Sequence, residues 1–323
     1  MGIGLICGAL AACGDSAGSG HGSLTVAVEA EDTITDGIAA GDAVEDLRDG
    51  WSVSFRKYLV TIGDVELDFA GADALRASDE KVYVVDLKKV PQSGLPLWQL
   101  DDLKAGRWEF SYRISQATAG VERDDSVDGD DFQRMLDGGL TYLIEGEIDK
   151  PDGRSCPPVA VSDPSSAAEP AGDNGHGDDC FANPKIAFTL DVPARSRFSR
   201  CEIDGVPGVS VPSGGSQSVA MTIHGDHLFF NGFPSGSEGG VSRLAQWFAD
   251  SDLNVDGMTT RQELEKIPPS ALSDIDDRYQ LGGSPLPLDA EATMWTYVIA
   301  QLETQGHLQG EGECQVEAGE PAN

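Results

Sequence analysis

The chain has 323 residues, enough for one large domain or two ordinary ones, and 40% of them are hydrophobic, which suffices for a globular core. Its 22 basic residues stand against 55 acidic ones, and the net charge of −33 argues against binding nucleic-acid phosphates or docking on anionic lipid through a basic patch. The same excess of carboxylates solvates the surface and favours metal cations as ligands.

The N-terminus has the pattern of an export signal. Residues 2–12 are uncharged and apolar or small, and a polar, glycine-rich stretch follows them. The run is shorter than the roughly 20 residues that span a bilayer, so residues 1–12 are predicted to be a signal segment. The letters LAAC at positions 10–13 resemble the lipobox of bacterial lipoproteins. This resemblance implies a lipid anchor on Cys13, a flexible tether at 13–22, and a location on the periplasmic side of a membrane or at the cell surface.

Short runs of alternating apolar and polar residues dominate positions 23–232 and are typical of half-buried strands. They predict an antiparallel β-sandwich domain. Residues 163–179 contain few apolar side chains and are predicted to be a mobile acidic insertion. A short helix is expected over Asp130–Leu136. The predicted strands cover residues 23–31, 51–62, 81–87, 108–114, 140–148, 186–192 and 219–223, and the change of apolar face within 51–62 predicts a bulge or bend near residues 56–57.

The cysteine content favours two disulfides in an oxidising compartment. With Cys7 in the signal segment and Cys13 lipidated, four cysteines remain, which permit three pairings. The preferred pairing joins Cys156 to Cys180, which would close the base of the acidic insertion, and Cys201 to Cys314. A zinc site is the alternative, and the absence of any CxxC pair argues against it.

The hydrophobic period changes after residue 233. Val241, Leu244 and Phe248 follow helical spacing, as do the apolar residues between Trp295 and Leu302. A helical module at 233–313 is therefore expected, followed by an acidic tail at 314–323.

Residues 252–263 read DLNVDGMTTRQE and resemble the calcium loop of the EF-hand family. Ca²⁺ takes about seven oxygen ligands at roughly 2.4 Å, which a twelve-residue loop can supply from alternating positions. Pro268-Pro269 shortens the helix after the loop, and no convincing second loop exists in the sequence, so a structural ion is expected rather than a sensor. By resemblance the ligands are the side chains of Asp252, Asn254 and Asp256, the carbonyl of Met258, Thr260 through a water, and both carboxylate oxygens of Glu263.

A second, smaller pattern ends the last predicted strand. His224 and Asp226 share one face at that end, and Gly225 is expected to let the chain bend so that His227 joins them. Two imidazoles and a carboxylate suit zinc or copper, and His307 is a further donor from the C-terminal segment.

The sequence contains no nucleophile elbow, phosphate loop or dinucleotide fingerprint. The expected function is therefore a non-catalytic, lipid-anchored, exported protein with a structural Ca²⁺, which binds a ligand or adheres to a protein or glycan partner. The alternative is a metal-dependent hydrolase or metal-handling protein that uses His224, Asp226 and His227.

Overall fold

A computed structural model describes residues 20–165, 168–233, 241–275 and 292–318. The predicted signal segment and Cys13 lie outside these residues. The described part of the chain is mainly β, with 43% of its residues in strands or bridges and 16% in helices. Within the described ranges, no helix is both long and apolar enough to cross a membrane.

The strands, in chain order, are β1 His21–Ala30, β2 Ser52–Phe69, β3 Arg76–Asp86, β4 Leu95–Lys104, β5 Gly106–Ile114, β6 Glu122–Arg123, β7 Tyr142–Asp149, β8 Arg154–Ser155, β9 Gly172–Asp173, β10 Asp179–Ala182, β11 Lys185–Val192, β12 Ser196–Ser199, β13 Glu202–Ile203, β14 Val206–Pro207, β15 Val209–Val211, β16 Ser216–Ile223, β17 Met258–Thr259, β18 Gly306–Leu308 and β19 Gln315–Ala318. The helices are α1 Asp32–Thr35, α2 Gly129–Gly138, α3 Gln246–Asp250, α4 Arg261–Leu264, α5 Pro269–Ile275 and α6 Met294–Leu302, with 3₁₀ turns at Leu87–Lys89 and Asp226–Phe229.

Two main sheets carry the fold. The larger follows the order β17-β11-β7-β2-β5-β12-β19, with β3 and β15 paired at its side, and the smaller follows β18-β16-β1-β4. Apolar side chains from both sheets, such as Val26 of β1 and Phe110 of β5, belong to one buried cluster. A shared core between two sheets is the packing expected of a β-sandwich.

The long strand β2 contains the irregularity that its sequence predicts. Its register against β7 shifts between Phe55 and Lys57. The shift compensates for the change of apolar face, because Val53 and Phe55 before it and Tyr58 and Val60 after it are all buried. The predicted bulge near residues 56–57 is confirmed.

The strand directions differ from the prediction. Most ladders are antiparallel, but β1 runs parallel to β16 along its length, and β17 runs parallel to β11. Alternation along a strand reports which face is buried and carries no information about the direction of its neighbour. The prediction of antiparallel pairing is therefore wrong for these two strand pairs. The parallel β1–β16 pair places the ends of the two strands side by side.

Within residues 241–275 and 292–318, the structure shows no EF-hand helical module of the kind predicted. The helices in these ranges are short: α3 begins only at Gln246, and α4 ends at Leu264. The strands of this region join the two main sheets, β17 beside β11 and β18 beside β16. Residues 315–318, predicted to lie in a tail, form β19 and pair with β12.

Both preferred disulfides are present. Cys156–Cys180 closes the small sheet β8-β10-β9, so part of the segment predicted as a mobile insertion is paired to its neighbours. Cys201–Cys314 fixes the chain between β18 and β19 to the segment after β12. Two disulfides are typical of a protein in an oxidising, exported environment.

Candidate metal centre

Three neighbouring strands place polar side chains at one edge of the smaller sheet. Because β1 and β16 are parallel, their C-terminal ends lie side by side, and the Glu31 amide donates to the Ile223 carbonyl at 3.3 Å. Glu31 therefore lies beside His224. Strand β18 runs antiparallel to β16, with His307 opposite Thr222. Alternation along the paired strands then puts all these polar residues on one face of the sheet.

His227 reaches the same place from the 3₁₀ turn that follows β16. The chain bends at Gly225, as predicted, but its φ of −76° is one that any residue adopts. A close approach explains the glycine instead, because a Cβ there would lie 2.6 Å from Cγ1 of Ile34 in α1. Glycine is thus needed for packing against α1 and not for backbone freedom.

The structure brings together three of the predicted imidazoles. One nitrogen from each of His224, His227 and His307 lies within 4.8 Å of the others. The ring centroids are separated by 4.0 Å between His224 and His307, 5.3 Å between His227 and His307, and 5.6 Å between His224 and His227. All three residues are buried, with at most 6% of their surface exposed.

Hydrogen-bond partners assign the proton on two of the rings. His224 Nε2 lies 3.1 Å from the Gly310 carbonyl, which can only accept, so Nε2 carries a proton. His227 Nδ1 lies 2.8 Å from Thr304 Oγ1, and that hydroxyl already donates to the Gln301 carbonyl at 2.8 Å. Thr304 must therefore accept from Nδ1, which carries the proton of this contact.

His307 is the third imidazole of the cluster, and one of its ring nitrogens lacks a hydrogen-bond partner among the described residues. Its Nδ1 is buried and has no hydrogen-bond partner in the described parts of the chain. Burial, together with repulsion by the neighbouring His224 and His227, lowers the pKa of His307 to about 2. The ring is therefore neutral at physiological pH and keeps a lone pair, as a metal ligand must.

Glu31 is a site residue that sequence reasoning missed. Its Oε1 lies 3.4 Å from His224 Nδ1, and its Oε2 accepts from Thr33 Oγ1 at 2.6 Å. Burial raises the pKa of Glu31 to about 7, with His224 opposing the rise and Asp226 adding to it. The residue stands 193 positions before His224, so local spacing could not reveal it; its place at the end of the first predicted strand was the only signal.

Asp226 lies in a second group of possible ligands, with Glu31 and His224, and also forms an ion pair with Arg243. Its Oδ2 accepts from Nε of Arg243 at 2.6 Å and also contacts Nη2 of the same guanidinium. The other oxygen, Oδ1, is buried without a hydrogen-bond partner among the described residues. One oxygen of Asp226 is thus held in a buried ion pair, and His307 joins His224 and His227 as the third imidazole of the cluster.

The loop at 252–263 lies between α3 and α4 and contains β17. Asp252 is fully buried: its Oδ1 accepts from the Asp256 amide at 3.0 Å, and its Oδ2 accepts from the Gly257 amide at 2.8 Å and from Asn183 Nδ2 at 2.9 Å. Gly257 has a φ of +84°, in the left-handed region that favours glycine.

The remaining predicted calcium ligands also lie in this loop. Both oxygens of Glu263 are used: Oε1 accepts from the Leu253 amide at 3.0 Å, and Oε2 from the Thr260 amide at 2.9 Å and hydroxyl at 2.7 Å. Asn254 and Asp256 accept from the amides of Asp256 and Met258 at 2.9 and 3.0 Å. The loop is therefore hydrogen-bonded within itself.

Comparison with known proteins adds no identification, because no family model, no curated protein and no solved structure matches the chain.

Proposed function

We propose that this protein is an exported metal-binding protein that holds one transition-metal ion of the zinc and copper class between His224, His227 and His307. The observation that carries the proposal is the convergence of three buried imidazole nitrogens within 4.8 Å. Three buried imidazoles with a nitrogen of each turned to one place form a ligand set that suits such ions.

A hydrogen-bonded structural cluster is the competing explanation, and the partners of the rings argue against it. In such a cluster, the N–H of one ring would donate a hydrogen bond to the unprotonated nitrogen of another ring. Here the assigned protons of His224 and His227 point outward, to Gly310 and to Thr304. Histidine ligands of metals commonly donate their second N–H to a carbonyl or another outer acceptor, which fixes the ring and its tautomer.

Metal analysis tests the proposal directly. Protein stripped with EDTA and then dialysed against Zn²⁺ or Cu²⁺ is expected to retain one equivalent, and His224→Ala is expected to lose it. His176→Ala is the matched control, because His176 is exposed and makes no contact with the cluster. The proposal is wrong if wild-type protein retains less than a stoichiometric amount of either ion, or if His176→Ala removes as much metal as His224→Ala.

A second ion, Ca²⁺ in the loop 252–263, is supported by a separate observation. The order of helix α3, loop, β17 and helix α4 is that of an EF-hand, and the buried Asp252 binds the amides at the fifth and sixth loop positions. We propose a structural role for this ion, because the loop is attached to the larger sheet. Strand β17 pairs with β11, and Asp252 accepts a hydrogen bond from Asn183.

The calcium proposal predicts that EDTA lowers the melting temperature and that Ca²⁺ restores it. At a free Ca²⁺ concentration of about 100 times Kd, the gain in unfolding free energy is about 2.7 kcal/mol. Glu263→Gln is expected to remove most of this gain, whereas Glu265→Gln, on the exposed side of the same short helix, is expected to keep it. A melting curve that Ca²⁺ does not move would contradict the proposal.

The location of the protein is proposed from the lipobox resemblance together with the two disulfides. Lipid on Cys13 would tether the chain to a membrane facing an oxidising compartment. Cys13→Ala is expected to move the protein from the membrane fraction to the soluble fraction, and unchanged fractionation would count against the anchor.

A further inference from the structure

The three-histidine centre leaves open whether its ion has a free coordination position. A tetrahedral ion bound by three imidazoles keeps a fourth place, which is filled by water in catalytic sites and by a fourth protein ligand in structural sites. This choice decides between a hydrolase and a structural metal protein. The following inference rests on the proposed metal binding.

We propose that Glu31 is the fourth ligand and closes the site. The geometry that supports this is the separation of 3.4 Å between Glu31 Oε1 and His224 Nδ1. Nε2 of His224 faces the Gly310 carbonyl, so Nδ1 is the nitrogen of this ring that is placed to ligate an ion beside Glu31. Two ligand atoms at about 2.0–2.1 Å from one tetrahedral ion are separated by about 3.3–3.4 Å.

The carboxylate is also held in place by neighbours. Thr33 donates its hydroxyl to Glu31 Oε2, and the same Thr33 oxygen lies 3.2 Å from the Gly225 amide that donates to it. Oε2 is thus oriented by the segment that carries His224 and His227, which leaves Oε1 facing His224. This is the arrangement by which outer partners fix a metal ligand.

The two carboxylates at the centre favour a bound cation. Glu31 and Asp226 each place an oxygen within 4.8 Å of His224 and of one another. Arg243 compensates Asp226, whereas Glu31 has no lysine or arginine ion-pair partner in the part of the chain that the structure describes. Two carboxylates this close repel each other in a buried site, and a divalent ion beside Glu31 would remove the repulsion.

Asp226 is the other carboxylate near the ion, and its ion pair assigns it an outer role. A guanidinium already binds its Oδ2, and ligation by Oδ1 would place the positive ion close to Arg243. The site is therefore His₃Glu, four-coordinate and closed to substrate. It suits Zn²⁺, which is bound in tetrahedral sites by nitrogen and carboxylate oxygen.

Two measurements on the Zn²⁺ and Co²⁺ forms of the full chain test this inference. Glu31→Gln is expected to weaken Zn²⁺ binding by at least about 100-fold, more than the loss of an outer-shell partner. Glu29→Gln is the matched control, because Glu29 lies on the same strand and face two residues earlier; its Zn²⁺ affinity is expected to stay within about twofold of wild type. In the wild-type Co²⁺ form, added azide or thiocyanate is expected to leave the visible spectrum unchanged, since no position is free.

The outcomes separate this inference from the function on which it rests. If wild-type protein binds no Zn²⁺, the three-histidine proposal fails. If wild type binds Zn²⁺ and Glu31→Gln binds it equally well, or if azide changes the wild-type Co²⁺ spectrum, the site is open and the role of Glu31 is overturned. Should Glu31→Gln not fold, Glu31→Asp replaces it: weaker binding than wild type supports the ligand role, and equal binding overturns it.

Discussion

The histidine centre and the loop 252–263 are built in opposite ways. The donors of the centre come from four separate segments, the ends of β1 and β16, the 3₁₀ turn after β16, and β18. The six predicted calcium ligands come from twelve consecutive residues. In the centre, His307 Nδ1 and Asp226 Oδ1 are buried without hydrogen-bond partners in the described chain, whereas the carboxylates of the loop accept bonds from its own amides.

This difference indicates that the stability of the histidine centre depends more on a bound ion than the stability of the loop does. A buried polar atom without a partner costs free energy that a bound metal would recover. Asx-type bonds inside the loop satisfy its carboxylates in the absence of an ion. A local motif is thus easy to recognise and can be stable when empty, whereas a cluster assembled from distant segments is hidden in the sequence and is left with unsatisfied atoms when empty.

Each region has a disulfide close to it, and removing these disulfides is expected to cause the largest losses of unfolding free energy. Cys201–Cys314 has a sequence separation of 113 and secures the chain beyond His307, while Cys156–Cys180 has a separation of 24 and lies beside α3. Chain entropy predicts losses of about 4.8 kcal/mol and about 3.4 kcal/mol in unfolding free energy when the respective cysteine pairs are replaced by serine. Denaturant unfolding measures both losses.

The Zn²⁺ affinity of the same two double variants shows whether each disulfide acts on its own region. Replacing Cys201 and Cys314 is expected to weaken Zn²⁺ binding, because His307 lies seven positions before Cys314. Replacing Cys156 and Cys180 is expected to leave Zn²⁺ binding unchanged. Equal effects of the two variants on Zn²⁺ affinity would show that the disulfides do not act on separate regions.

The next largest loss of unfolding free energy is expected from breaking the buried ion pair between Arg243 and Asp226. Arg243→Met leaves Asp226 buried with an uncompensated charge, which is expected to cost about 3–5 kcal/mol in the metal-free protein. Arg261→Met is the control at the loop: Arg261 pairs with Glu265 on the surface and lies over Trp295, so its loss is expected to cost less than about 1 kcal/mol. Equal costs in denaturant unfolding would contradict the burial of the centre.

The smallest effect is a pH dependence of the metal-free centre. The pKa of His307 is about 2 in the folded chain against 6.5 for the model side chain, so the unfolded chain takes up a proton first as the pH falls. The contribution of His307 is present above pH 6.5 and is lost as the pH falls below it. Between pH 7 and pH 5 this loss is about 2 kcal/mol.

Denaturant unfolding at both pH values, in EDTA, measures this dependence. His307→Gln is expected to lack that part of the loss, and His176→Gln, on the exposed surface, is expected to retain it. If the pH dependence of His307→Gln equals that of wild type, His307 is not buried as a neutral ring.

Much of the fold was predictable from local pattern. The alternation in β2 located both its buried faces and the bulge between them, because side-chain period and burial are properties of a single strand. The cysteine spacing favoured the observed disulfides, since closing the polar segment between Cys156 and Cys180 leaves one other pair. The helices were predicted less well, and α3 is shorter than its apolar spacing implies, because Arg243 forms isolated β-bridges with Leu47 and Phe230.

For the site, the sequence by itself determined the neighbouring residues: His224, Asp226 and His227 are close along the chain, and Gly225 marks the bend between them. Only the tertiary structure decided that β1 runs parallel to β16, which brings Glu31 beside His224, and that Arg243 pairs with Asp226 while β18 presents His307. Periodicity and spacing are recorded within a segment, whereas the direction and order of strands follow from how distant segments bury their apolar faces together.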